Sequence, residues 1–520
     1  MARDNAVVET TYGPVRGSGD GQVRAWKGIR YAAPPVGELR FRAPEPAKPW
    51  TEVADATTFG PVCPQPVLPN IPLDLGAPQG EDCLSLNIWV SSDTEPGDAK
   101  PVMVWVHGSA YTLGSSSQII GSTSQPLYDG RVLASSGEAV VVTLNYRLGA
   151  LGFLDLSSFN SPRRRFDSNI GLRDVLFALH WVRDNIAAFG GDPERVTLLG
   201  ESGGGGIVTT LLASPTAKGL FAAAIAQSSP ATSVYGHDRA RRVADRVLGL
   251  LGVAESDVDR LADVPIAAII AASMQVFHEV PVRNPGTLAF VPIVDVDMVP
   301  DYPVKVAREG RSHPVPLIIG TNKHEAALFR WKKLRLMPIT PRAITAMFAE
   351  ITAEQPDLQL PAEEQIMSAY SGMRAKARGS SIASDIGFRM PSVWFAEGHS
   401  AVAPVYLYRF DLTTPMLRLL RIGGAHAMEL PYVWGNLEKG SIMFRLGGMK
   451  TGKAVSARMR ARWLNFATQA NPIGPPEEPQ WPPYQLTDRA CLIIDKQDTI
   501  AHDIDAHIRS AWGSQVLHFR

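Results

Sequence analysis

The chain has 520 residues, 45% of them apolar and 20% charged, a balance ordinary for a folded protein with a large buried core. Lysine plus arginine equals aspartate plus glutamate at 51 each, so no net field draws the chain to nucleic acid or to an anionic membrane. No apolar run approaches the roughly 20 residues of a membrane span, and three cysteines are too few for a disulfide scaffold.

The first residues, MARDNAVVETTYGPVRG, lack the apolar stretch of a secretory signal and pass straight into a strand-and-turn pattern from Val7 to Arg16. The expectation is a cytoplasmic protein. Proline and glycine in Ala33-Pro34-Pro35-Val36-Gly37 mark extended, irregular backbone, and residues 61–80 read as an exposed loop rich in the same two residues. Cys63 and Cys83 leave two readings open. Either they form a disulfide that closes the loop between them and contributes about 3 kcal/mol, or both stay reduced in a cytosol. Leu84, Leu86 and Ile88 alternate as in a half-buried strand.

Val102–Val106 (VMVWV) and Ala139–Leu144 (AVVVTL) are unbroken apolar runs, as expected of strands covered on both faces. Leu172, Val175, Leu179, Val182 and Ile186 recur at spacings of three and four, an amphipathic helix that Gly190-Gly191-Asp192-Pro193 ends. A strand at Val196–Leu199 then leads into Gly200-Glu201-Ser202-Gly203-Gly204, followed by helix-compatible residues Ile207–Ala213. Strand, helix, strand, tight turn and helix in that order predict βαβ units, hence an α/β fold with a large, mostly parallel sheet and helices on both faces. Further strands are expected at Ala222–Ala226, Leu317–Ile319, Val405–Phe410 and Leu492–Ile494. Residues 326–400 read as a helical cap or subdomain inserted into a single domain of residues 1–520.

G-x-S-x-G on a strand–turn–helix is a nucleophile elbow: the turn is so sharp that small residues must flank the serine at −2 and +2. The motif alone is weak. A serine also needs a base to become nucleophilic at neutral pH, and the base needs a carboxylate to orient it. In a parallel sheet these fall on loops after later strands, in the order serine, acid, histidine. Leu317–Ile319 runs into Gly320-Thr321-Asn322-Lys323-His324-Glu325, which places Glu325 at a strand end; His324 beside it is the nearest wrong choice. Ile422-Gly423-Gly424-Ala425-His426-Ala427 is a small-residue loop that exposes His426. Oxyanion donors belong on the loop after an early strand, where VMVWV meets His107-Gly108-Ser109-Ala110-Tyr111.

These residues, in this order, resemble the type-B carboxylesterase (carboxylesterase/cholinesterase) family of α/β-hydrolases. The likeness also covers Glu81-Asp82-Cys83-Leu84, Asn145-Tyr146-Arg147-Leu148-Gly149, Phe189-Gly190-Gly191-Asp192-Pro193, Gln227-Ser228 and Glu429-Leu430-Pro431-Tyr432. The resemblance implies an α/β-hydrolase fold, with Ser202 as nucleophile, Glu325 as acid and His426 as base. It also implies an oxyanion hole built from the backbone N–H groups of Ser109, Ala110 and Gly203. The chain departs from the family at three positions: Ser109 and Ala427 stand where glycine is usual, and Gly203, where alanine is usual, opens a run of four glycines. In a helix each glycine costs up to about 1 kcal/mol relative to alanine, so the run implies either very close backbone packing or a loose elbow.

The expected reaction is hydrolysis of a small-molecule carboxylic ester of short to medium acyl chain through an acyl-enzyme, without cofactor or metal. Activity should rise through an apparent pKa of about 6.5, the ordinary imidazole value. Two rivals stand: a catalytically silent binding or adhesion protein on the same fold, and the same triad acting as amidase, thioesterase or acyltransferase. Tyr111, Trp331 and Phe388 are candidate pocket walls, against the plainer reading of each as core. His107 reads as a shaper of its loop, Glu201 as part of a buried network, and Ser228 as a support for the triad. Gly447–Ala454 nearly matches a phosphate-binding loop but has Ala454 where Ser or Thr would hold magnesium, and no buried strand precedes it. Oligomeric state is not legible.

Overall fold

Eleven strands form one sheet. In chain order they are β1 (Ser18–Gly19), β2 (Val23–Arg30), β3 (Ser85–Ser91), β4 (Lys100–Val106), β5 (Val140–Leu144) and β6 (Gly191–Glu201). They continue with β7 (Ala223–Gln227), β8 (Leu317–Asn322), β9 (Val405–Phe410), β10 (Ala490–Ile494) and β11 (Thr499–His502). Across the sheet the order is β11-β10-β9-β8-β7-β6-β4-β5-β3-β2-β1. From β10 through β5 every neighbouring pair is parallel, and both edges are antiparallel. The structure, a computed structural model, describes residues 6–68, 73–120, 125–356, 363–437 and 441–520.

Because strand side chains alternate, the central strands feed two cores at once. Val102, Val104 and Val106 of β4 face one core, and Met103 and Trp105 face the other. On the first side lie α1 (Ile170–Asn185), through Leu172, Val175 and Leu179, and α2 (Gly203–Leu212), through Ile207, Val208 and Leu211. Two short helices, α3 (Ala327–Trp331) and α4 (Pro415–Leu419), sit beyond the strand ends. The long α5 (Met449–Gln469) covers the second side with Val455, Met459 and Trp463. Truncating a fully buried tryptophan such as Trp105 or Trp463 to alanine costs about 3–5 kcal/mol.

Between β8 and β9 the described residues are mainly helical: α3, Pro341–Glu354, Glu363–Ala369, Ala375–Ser384 and Met390–His399. Thr340 caps the second of these, its hydroxyl accepting from Ala343 N, with Pro341 supplying a preset first turn. Residues 357–362 of the expected 326–400 subdomain lie outside the described residues.

Three expectations are corrected. The strand around Leu86 is buried on both faces, because its polar residues are bonded inside the protein: Asn87 accepts from Gly28 N and donates to Ser116 and Thr143. Within the expected exposed loop 61–80, residues 61–68 are largely buried, since Gln65 clamps Gly114 through both backbone groups (2.7 and 2.9 Å); residues 69–72 lie outside the described residues. Of the two readings left open for Cys63 and Cys83, the structure has the reduced one, both being free. Cys63 Sγ accepts from Leu148 N, and the Cys83 thiol, hydrogen-bonded to Cys63 and buried, is held well above its usual range, which disfavours the thiolate that disulfide formation needs. The helix after Ser202 begins directly at Gly203, so the glycine run is helical rather than a loop. The near phosphate-loop at 447–454 instead opens α5, with Gly448 at φ +95° as its N-cap.

Candidate active site

The elbow at Ser202 closes between β6 and α2. Ser202 takes φ +57°, ψ −123°, a strained conformation for any residue with a side chain, and its own N–H donates to Gln227 O at 2.9 Å. Gly200 is forced. A Cβ there would lie 2.6 Å from the backbone of Gly204 and 2.8 Å from Val106 O. The glycine run proves to be close packing: Gly204 presses on Val106 O and His107 O, Gly205 on Gln227 O, and Gly206 on the Tyr111 hydroxyl. Gly203 is the mildest of the four, its virtual Cβ meeting Tyr111 N at 3.1 Å.

Ser202 Oγ stands 2.8 Å from His426 Nε2, and His426 Nδ1 stands 2.7 Å from Glu325 Oε2. All three side chains are buried. The other carboxylate oxygen of Glu325 accepts from Ser228 Oγ and Asn322 N, each at 2.6 Å. With its acceptor sites filled this way, Glu325 can take only an N–H from the imidazole, which fixes the tautomer with Nδ1–H and leaves Nε2 free to accept from the serine. Phe388 and Phe329 hold the ring from the side, at centroid distances of 4.5 and 5.2 Å. Phe388 belongs to a π-helical turn, Asp385–Arg389, that joins two helices of the segment between β8 and β9.

Sequence reading missed the layer beneath. Glu429 is buried and accepts from Gln227 Nε2 (3.0 Å) and Asn322 Nδ2 (2.5 Å), while Gln227 Oε1 accepts from Trp463 Nε1 of α5. The signal was present in Glu429, three residues beyond His426, and in Gln227 at the end of β7. Glu201 is closer to the chemistry than expected, its Oε1 lying 3.2 Å from His426 Nε2 while making no hydrogen bond of its own. Burial pushes the Glu201 carboxyl well above the usual carboxylate range, against the pull of His426 and with Glu429 and Glu325 adding to the rise. Burial alone lowers the His426 imidazole, but the carboxylates of Glu201, Glu325 and Glu429 outweigh it and hold the group above its ordinary value.

Ser109, Ala110 and Tyr111 follow one another in left-handed backbone (φ +82°, +54° and +56°), and Ala110 N and Tyr111 N lie 3.5 and 3.1 Å from where a Cβ on Gly203 would stand. Among the described residues, the N–H groups of Ser109, Ala110 and Gly203 donate to no protein acceptor. His107 shapes this loop from below, stacked on Tyr146 at 4.6 Å with Nδ1 on Gly108 O, and Tyr146 Oη donates to His107 O.

Above the row opens a cavity of about 640 Å³ with mostly apolar walls. Tyr111 and Phe388 form part of its buried wall, and Trp331 stands at its outer rim, 44% exposed. No described helix is long and apolar enough to cross a membrane.

A parallel sheet with a serine elbow after its central strand, and an acid and a histidine delivered by later loops, defines the α/β-hydrolase fold and, with it, a serine hydrolase. The model of the carboxylesterase family matches residues 4–512, and the chain belongs to that family. It is 39% identical over 505 residues to the para-nitrobenzyl esterase of Bacillus subtilis (strain 168), covering 97% of each chain. It is 30% identical over 512 residues to the phenmedipham hydrolase of Pseudarthrobacter oxydans, covering 96% of this chain and 97% of that one. Among solved structures, a thermophilic PNB esterase superposes with a TM-score of 0.84 at 37% identity, covering 97% of this chain and 99% of that one. The Geobacillus stearothermophilus carboxylesterase EST55 gives 0.82 at 34%, with the same coverage. This chain is accordingly a carboxylic ester hydrolase.

Proposed function

We propose that Ser202 is the nucleophile, His426 the general base and acid, and Glu325 the carboxylate that orients the imidazole. The observation that carries this reading is the continuous row Ser202 Oγ–His426 Nε2–Glu325 at 2.8 and 2.7 Å on the floor of an apolar cavity. His426 Nε2 takes the serine proton as Oγ attacks the ester carbonyl, and the resulting oxyanion is met by the amides of Ser109, Ala110 and Gly203. The imidazolium, stabilised by Glu325, then gives its proton to the leaving alkoxide as the C–O bond breaks. Water repeats the cycle on the acyl-enzyme and returns free serine and a carboxylic acid. Each oxyanion amide is worth on the order of 10²–10³ in rate.

The apolar walls suit uncharged esters of short to medium acyl chain, with room for an aromatic alcohol, in keeping with the para-nitrobenzyl esterase named above. Neither cofactor nor metal enters this chemistry. The helical segment 326–400, which supplies Phe329 and Phe388 to the imidazole, is proposed as a cap on one domain of 520 residues. A reducing compartment, with Cys63, Cys83 and Cys491 kept as thiols, is the setting proposed for the enzyme.

The test is a chain-length series of p-nitrophenyl esters, with p-nitrobenzyl acetate, on the wild type and Ser202→Ala. A sulfonyl fluoride should add one sulfonyl group to Ser202 and none to the variant. Unchanged turnover by Ser202→Ala, or labelling at another residue, ends the assignment.

A further inference from the structure

Three separate stretches meet at the mouth of the cavity: residues 326–337 around α3, residues 413–428 around α4, and the turn at 441–447. Each contributes cavity lining, through Trp331, Leu420 and Ile442 respectively. They are joined to one another, since Thr414 Oγ1 donates to Met443 O at 2.7 Å and Arg330 donates to Arg421 O at 3.4 Å.

Together they carry seven lysines and arginines and no acidic residue. The first stretch has Arg330, Lys332, Lys333 and Arg335, the second Arg418 and Arg421, and the third Arg445. Among the described residues none of the seven pairs with a carboxylate; Lys332 lies instead over the Trp331 ring at 4.6 Å. Elsewhere on the surface Arg241, Arg246, Arg311 and Arg509 are each matched to an acid. The three stretches thus form a positive collar on a chain whose charges sum to zero.

The same rim holds large apolar side chains out to solvent: Leu419 is 67% exposed, Leu446 53%, Ile442 45%, and Trp331 is exposed beside them. Basic residues interleaved with exposed tryptophan and leucine are the composition of a surface that seats in the headgroup layer of a bilayer. A dissolved anion would need the cations but not the outward apolar groups, and an apolar partner would need the reverse. We propose that this collar docks the enzyme on an anionic lipid surface with its cavity mouth facing the bilayer, so that lipophilic esters enter from the membrane without crossing water.

Flotation with vesicles tests this directly. Wild-type protein should float with phosphatidylglycerol/phosphatidylcholine vesicles at 50 mM salt, stay behind with pure phosphatidylcholine, and be released at 500 mM salt as the charges are screened. The triple charge reversal Lys333→Glu/Arg335→Glu/Arg418→Glu should lose at least about tenfold in vesicle partitioning while hydrolysing water-soluble p-nitrophenyl acetate as before. Leu419→Ser/Leu446→Ser, which keeps every charge, should also weaken flotation. Ser202→Ala, inactive on the reading above, should float like the wild type, so docking and catalysis fail separately. No flotation of wild type with anionic vesicles overturns the proposal, and so does equal flotation of the charge-reversed protein. Displacement by millimolar glycerol phosphate at matched ionic strength would reduce the collar to a site for free anions and overturn it as well.

Discussion

The hydroxyl of Tyr111 fills the space that a side chain at Gly206 would need, so the loop at 107–111 and the helix that follows Ser202 interlock at this pair. A Cβ on residue 206 would overlap Tyr111 Oη and lie 3.1 Å from Cζ. Gly206→Ala should therefore destabilise the protein by about 1–3 kcal/mol, the cost of overpacking. Removing the hydroxyl first with Tyr111→Phe should cancel most of that cost, because alanine is worth up to about 1 kcal/mol over glycine in a helix. Chemical denaturation of the two single variants and the double variant would give a coupling energy of at least about 1 kcal/mol. Additive effects would separate the pair.

Two of the family's glycines are replaced here at positions where the backbone still asks for glycine. Ser109 sits at φ +82° and Ala427, next to His426, at φ +63°. A side chain in left-handed backbone costs about 1–2 kcal/mol, partly offset by the lower chain entropy of a non-glycine residue when unfolded. Ser109→Gly and Ala427→Gly should each raise stability by up to about 1 kcal/mol, measured as a higher denaturation midpoint. A fall in stability would show that the side chains make contacts worth more than the strain.

The parallel strands and the residues that meet as Ser202, His426 and Glu325 were legible in the sequence because both rest on local chemistry. Val102–Val106 is apolar without a break, and Ser202, Glu325 and His426 each follow a strand or sit in a loop of small residues. What escaped depended on residues distant in the chain. Asn87 looked like the polar face of an alternating strand, yet Ser116 and Thr143 satisfy it inside the core. The glycines after Ser202 left packing and looseness open, and Val106 O, Gln227 O and Tyr111 Oη decide for packing. Glu429 and Trp463 reach the site through Gln227, a link that no local pattern encodes. The collar at the cavity mouth was hidden for a related reason: whole-chain charge is a sum, and the basic residues that meet there come from three remote stretches.

On the proposed mechanism activity requires neutral His426, and its neighbours favour the protonated form. The rising limb of kcat/KM therefore belongs above the ordinary imidazole value rather than at it. Glu201 Oε1 lies 3.2 Å from His426 Nε2 and each group biases the titration of the other, so the limb reports the pair. Glu201→Gln removes one of the charges that hold the proton on the imidazole, and its limb should move to lower pH. An unshifted profile in that variant would mean that Glu201 carries no charge while His426 titrates.

Glu325 Oε1 is occupied by Ser228 and Asn322, leaving Oε2 for His426. Glu325→Gln can present an amide N–H to Nδ1 and so select the wrong tautomer, and kcat should fall by on the order of 10⁴ with little change in KM. Ser228→Ala removes one of two donors and should cost far less. A larger loss in Ser228→Ala than in Glu325→Gln, both measured by steady-state kinetics, would contradict this arrangement.

His107 makes the fold sensitive to acid at the place where the oxyanion loop begins. Burial pushes its imidazole down to about 4, against a smaller upward pull from the bond to Gly108 O. In the unfolded chain the group titrates near its ordinary value of about 6.5. Between those values the unfolded state binds a proton that the native state refuses, so this contribution is whole above about pH 6.5 and is lost as pH falls toward 4. At pH 5 the loss from this group is about 2 kcal/mol relative to neutral pH. His107→Phe keeps a ring against Tyr146 without a titrating nitrogen. Whatever the variant costs at pH 7.5, it should lose about 2 kcal/mol less than the wild type between pH 7.5 and pH 5, read from urea unfolding at the two values. Equal losses in both proteins would mean that acid reaches the fold elsewhere and that the base of the oxyanion loop holds its histidine as readily charged as neutral.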